Sequence, residues 1–90
     1  MSQSSMAIEE GRERLVDLAR ELTARGLAAR AVAAGTALYV INPPSRLDEM
    51  VKCACGGDGR LWFWWSWREP ICPADDPEMA ADRLASVLRA

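Results

Sequence analysis

Apolar residues near the N-terminus recur at helical spacing. Ile8, Leu15, Leu18, Ala19 and Leu22 fall on one side of a helix over residues 6–25. The other side carries Glu9, Glu10, Arg12, Glu13, Asp17, Arg20 and Glu21, and opposite charges such as Glu10 and Arg14 stand one turn apart, where they pair weakly. Residues 1–5 are expected to fray, with Ser4 or Ser5 as the cap. Gly11 weakens the helix by about 1 kcal/mol relative to alanine. Gly26 supplies the left-handed residue that stops it.

Beyond Gly26 the pattern becomes extended. The Ala-rich stretch 29–33 lies between Gly26 and an Ala34-Gly35 turn, which favours a short edge strand over a continued helix. Residues 36–42, TALYVIN, are β-branched and aromatic and form a strand ended by Pro43 and Pro44. Residues 49–55 form a third strand, and Gly56-Gly57-Asp58-Gly59 is the strongest turn signal in the chain. Residues 61–68, LWFWWSWR, return as the fourth strand. Glu69-Pro70 stops it, and residues 71–75 are a connector. A last helix starts with Asp76 as cap, Pro77 at its first position and Glu78 in its first turn, and Ala80, Leu84, Val87 and Leu88 form its apolar face. The order α-β-β-β-β-α, with short connections, predicts one α+β domain over residues 1–90: a four-stranded antiparallel meander with both helices packed on one face.

The tryptophan strand carries the functional signal. Side chains alternate between the faces of a strand, so Leu61, Phe63, Trp65 and Trp67 are expected beneath the helices, and Trp62, Trp64, Ser66 and Arg68 on the open face. A half-exposed strand ordinarily carries polar residues there. Two tryptophans, each able to bury roughly 150–250 Å², make an apolar patch large enough to suggest a partner. A three-residue loop with a left-handed glycine places Lys52 opposite Trp62, with Met50, Lys52 and Ala54 on the open face. A two- or four-residue loop places Cys53 there instead. The three-residue loop is the expected one because it keeps Lys52 on the open side, and the candidate interaction or ligand face is Trp62, Trp64, Arg68, Lys52, Met50 and Tyr39.

Composition narrows the chemistry. Half of the 90 residues are hydrophobic and the net charge is −2, ordinary globular values without the clustered Lys and Arg of a nucleic-acid or anionic-membrane surface. Histidine is absent, which excludes Ser-His-Asp and Cys-His catalysis. No basic region precedes an apolar core at the N-terminus and no run approaches the roughly 20 apolar residues of a membrane span. The three cysteines, an odd number, are expected as reduced thiols in a cytoplasm. Cys53 and Cys55 share a strand face that Cys72 can approach, but structural zinc usually takes four ligands, so these read as small core residues. No cofactor, metal or catalytic residue is expected. Capping explains Asp76, turn chemistry explains Asp58, and the Gly-rich run lacks the Lys-Ser/Thr ending of a phosphate loop.

The run Gly26-Leu27, then Ala37-Leu38-Tyr39-Val40-Ile41-Asn42-Pro43, then Trp62-Phe63-Trp64-Trp65-Ser66-Trp67, then Asp75-Asp76, resembles a pattern in short actinobacterial proteins of unassigned role, some encoded beside transcription regulators. The resemblance covers roughly residues 15–90. It implies a cytoplasmic accessory or regulatory protein and carries over no catalytic residue. By element order the chain is also similar to small α/β chaperone-like folds that dimerise. The expectation is a non-catalytic protein-interaction or regulatory module, homodimeric through the aromatic face. The alternative is a small-ligand-binding accessory protein of a biosynthetic pathway, with the tryptophans as pocket wall and Arg68 or Lys52 orienting an acidic group.

Overall fold

A computed structural model describes the backbone over residues 2–89 and the side chains over residues 8–89. Within that range the order is α1 (Ser2–Ala24), β1 (Ala28–Val32), β2 (Ala37–Ile41), β3 (Asp48–Cys55), β4 (Leu61–Trp64), β5 (Pro70–Pro73) and α2 (Pro77–Leu88). The five strands form one antiparallel sheet in the order β1-β2-β3-β4-β5. The fold is α+β, as the pattern of the sequence implies, but with one strand more than expected. No described helix is long and apolar enough to cross a membrane.

Helix α1 is already helical at Ser2, so Ser4 and Ser5 lie inside it rather than capping it. Gly26 (φ 82°) ends it: the Gly26 N–H donates to Thr23 O and the Leu27 N–H to Leu22 O, both at 3.0 Å. Leu15, Leu18 and Leu22 are buried, whereas Ile8, placed on the same face by periodicity, is 49% exposed. Gly11 is buried because α1 lies close to β3 here. A β-carbon at Gly11 would stand 3.3 Å from Cys53 O.

Residues 28–32 do form an edge strand, followed by a tight turn in which Ala33 and Ala34 both take positive φ. The correction falls after β4. The expected strand 61–68 stops at Trp64, because the chain turns back at once: the Trp65 N–H donates to Glu69 O at 2.8 Å, the Arg68 N–H to Trp65 O at 3.0 Å, and Arg68 takes φ 68°. The segment read as a connector then pairs with β4 as β5, with a register shift at Phe63/Trp64. β5 is an edge strand, where its two prolines are tolerated.

Both helices feed one core. Leu18 and Leu22 from α1, Val40, Val51 and Phe63 from the sheet, and Leu84 and Leu88 from α2 form a single buried cluster. Asp76 caps α2 as expected, accepting from the Met79 N–H at 3.1 Å. Val87 is 50% exposed and leaves the apolar face assigned to it. Asn42 and Ser45, in the proline loop, donate to Leu88 O at 3.0 and 2.7 Å, satisfying the C-terminal end of α2. Arg25 joins the helices through Glu21 and Asp82, both at 2.9 Å, and these carboxylates raise its pKa.

Candidate functional site: the open face of the sheet

The hairpin decides which side chains share the open face. Gly57, Asp58 and Gly59 form a three-residue loop, closed by the Gly56 N–H donating to Arg60 O at 2.7 Å, and Gly59 takes φ 78°. The loop length matches expectation, but the register is two residues away. Lys52 stands opposite Trp64, and Ala54 opposite Trp62. A two-residue shift preserves the face, so Lys52 remains with the tryptophans while Cys53 pairs with Phe63 on the helix side.

Four rungs run across this face. The first joins Ala28, Ile41 and Asp48, the second Arg30, Tyr39 and Met50, the third Val32, Ala37, Lys52, Trp64 and Pro70, and the fourth Ala54, Trp62 and Pro73. Five of the six residues assigned to the face by sequence lie on these rungs. The sixth, Arg68, sits in the turn after β4 and lines a shallow hollow of about 250 Å³ with Lys52, Ala54, Trp64, Trp65 and Ser66.

The tryptophans are anchored rather than loose. The Trp64 Nε1–H donates to Ala54 O at 3.0 Å, and the Trp62 Nε1–H to Asp58 Oδ1 at 3.1 Å. Both indoles therefore lean toward the hairpin turn and leave the sheet face half-buried. Gly56 makes room for this, since a β-carbon there would meet Trp62 Cδ1 at 2.8 Å. The Arg60 N–H and the Trp62 indole hold the Asp58 carboxyl below its ordinary pKa. Tyr39 donates to Asp48 Oδ2 at 2.7 Å, which raises the phenol pKa, and the Arg30 guanidinium lies 5.9 Å from its ring centre. With both indole N–H groups satisfied internally, what the tryptophans leave exposed is apolar ring.

Trp65 and Trp67 belong elsewhere. Trp65 is buried as expected, but Trp67 is 51% exposed and stacks on Trp65 with centroids 4.9 Å apart and planes 6° from parallel. The turn after Trp64 breaks the alternation that placed Trp67 in the core. Asp58, Gly56 and Asp48 were readable only as turn or strand-end residues. A signal for Asp58 did exist, since an acidic residue in a tight turn four positions before a strand tryptophan can reach its indole.

The thiols form no site. Cys53 and Cys72 flank Phe63 on neighbouring strands and Cys55 is exposed. Burial pushes Cys53 up to about 12 and Cys72 up to about 11, so neither is a thiolate at neutral pH. Among the described residues no group of three or more metal-ligating side chains gathers. Compared with family models, curated proteins and solved structures, the chain matches none of them.

Proposed function

We propose that the protein is a non-catalytic interaction module whose open sheet face pairs with a second copy of the chain. The observation that carries this reading is the make-up of the face. Val32, Tyr39, Ile41, Met50, Trp62 and Trp64 stand half-buried where an antiparallel sheet in water ordinarily shows polar residues. Self-pairing is supported by charge. Asp48 and Lys52 lie two residues either side of Met50 on β3, so two faces set antiparallel about Met50 bring each Lys52 to the Asp48 of the other copy, two attractive pairs set against one Arg30–Arg30 approach at the exposed edge of the face.

The size of the face sets the strength. Five strands at ~4.8 Å spacing and ~17 Å length give roughly 400 Å² of flat area, below the ~800 Å² per partner of a standard interface. The dimer is therefore expected to dissociate in the micromolar range. Sedimentation equilibrium over a concentration series tests it. Lys52→Asp should weaken association and adding Asp48→Lys should restore it. A monomer at every concentration would sink the reading.

A second reading rests on the hollow beside Trp64. Lys52 and Arg68 flank it, and neither has a carboxylate partner among the described residues. That arrangement suits a small aromatic carboxylate. Its volume of about 250 Å³ is below the ~300–1,000 Å³ of typical ligand pockets, which ranks this reading second. Quenching of tryptophan emission by a panel of aromatic carboxylates, lost in Arg68→Ala, is the corresponding test.

A further inference from the structure

The two edges of the sheet differ. β5 carries Pro70 and Pro73, and proline has no N–H to offer a further strand. β1, with the sequence AARAV, has neither proline nor lysine, and among the described residues nothing pairs with its outer side. Alternate N–H and C=O groups of this strand therefore point outward.

Beside that edge, under α1, lies a groove of about 630 Å³ whose floor is Leu15, Val16, Ala19, Ala29, Ala31 and Leu38. It exists because β1 turns two alanines toward the helix, and methyl groups do not fill the space that larger side chains would. Arg12 and Arg20 also line it, and Arg30 projects from the opposite face of the same strand. Among the described residues Arg12 and Arg30 make no ion pair, and the Arg20–Asp17 pair is exposed and 3.6 Å long. A chain of net charge −2 thus gathers three arginines around one sheet edge.

We propose that β1 is a strand-addition site for an extended, acidic segment of another protein. The added strand bonds to the outward backbone groups of β1. Its alternate side chains then point to opposite faces. Apolar ones enter the groove beneath α1, carboxylates on the other face meet Arg30, and acidic residues along the rim meet Arg12 and Arg20. A second copy of the chain is a poor occupant. Pairing two β1 strands about their middle sets Arg30 opposite itself, and like charges directly opposite are destabilising. Sliding the strands apart to avoid this shortens a ladder of only five residues. The outward backbone groups of β1 and the groove lie off the open face, but Arg30 belongs to both surfaces, so sedimentation of Arg30→Glu is read beside its peptide binding to tell the two apart.

The test uses the full chain, labelled with 15N, and two blocked peptides, one alternating glutamate with valine and one alternating lysine with valine. The glutamate peptide should shift the amides of residues 28–32 and of α1 beside the groove. At low salt it should bind at least about tenfold more tightly than the lysine peptide. Arg30→Glu, an exposed replacement whose folding a thermal melt verifies, should reverse that preference. Ala29→Leu, which fills the groove without changing charge, should weaken the glutamate peptide. Equal binding of the two peptides, shifts confined to the tryptophan face, or no shift at millimolar peptide would each overturn the proposal. Binding of decanoate in the groove with no peptide binding would overturn it too, in favour of an anionic amphiphile.

Discussion

Replacing Gly11 tests how α1 is seated on the sheet. A β-carbon at this position would stand 3.3 Å from the Cys53 carbonyl oxygen and 3.8 and 3.9 Å from its Cβ and Sγ. Two effects oppose each other in Gly11→Ala. Alanine is the better helix former by about 1 kcal/mol. Against that, the close oxygen contact obliges helix or strand to give by a few tenths of an ångström in a close-packed interior. The two nearly cancel, so alanine is expected within about 0.5 kcal/mol of the native chain. Gly11→Val adds branches that the space above Cys53 does not hold, and overpacking of that kind costs about 2–3 kcal/mol. In a domain of this size each kcal/mol moves the midpoint by roughly 4–8 °C, so valine should lower it by about 10–20 °C. Thermal and urea unfolding followed by circular dichroism read this directly, with an unchanged m-value as the check that stability alone has moved. If valine costs no more than the few tenths by which its helix propensity trails alanine, α1 does not rest on Cys53 and the packing argument fails.

Three further outcomes follow from particular residues. Ala34 sits at φ 57°, a conformation costing an alanine about 1–2 kcal/mol, so Ala34→Gly should stabilise the chain by about 0.5–1 kcal/mol after the added unfolded-state entropy, and a lower urea midpoint would refute this. Asp58 has its folded pKa depressed by the Arg60 N–H and the Trp62 indole. Its contribution is therefore fully present above the unfolded value near ~3.9 and lost as pH falls through the folded one; urea midpoints measured down to about pH 2 should show an acid step that Asp58→Asn lacks. Iodoacetamide should label exposed Cys55 first, half-buried Cys53 more slowly and buried Cys72 only on unfolding, since burial raises the latter two thiols; equal rates at all three by mass spectrometry would contradict this placement.

The elements legible in the sequence were those with a local cause. Gly26 and Asp76 fixed the helix ends through left-handed geometry and capping, and the glycines around Asp58 marked the hairpin, while its face hung on a loop length that the residues alone left open. Residues 65–69 were not legible. Trp65, Ser66 and Trp67 have ordinary strand propensity, and no glycine marks the turn, because Arg68 takes the left-handed conformation itself. β5 was hidden for a related reason. Two prolines in four residues argue against a central strand but not against an edge strand, and which strand becomes the edge is a tertiary fact. The groove under α1 left a trace only in hindsight, as an Ala-rich strand that cannot fill the space beneath a helix.

The four tryptophans divide by how they are held, and that division bears on affinity. Trp67 is half in water and stacked on Trp65. Trp62 and Trp64 are each pinned by an indole hydrogen bond to their own hairpin. A pinned ring has already lost much of its rotamer freedom, so covering it costs less than the ~0.5–1.5 kcal/mol of an immobilised side chain. This favours the open face over the Trp67 turn as the self-pairing surface despite its small area. The geometry has a further consequence. A sheet edge lies in the plane of the sheet, and the open face looks out of that plane, so pairing two faces leaves both β1 edges uncovered. In the antiparallel pairing about Met50 the two β1 strands stack on the same side, so the dimer would then offer two strand-addition sites side by side. A partner carrying two acidic segments would be held more tightly than either site alone holds it, provided its linker spans the pair. A tandem glutamate–valine peptide with a flexible linker should accordingly gain affinity over the single peptide only at protein concentrations where the dimer forms, and a gain that ignores protein concentration would separate the two surfaces.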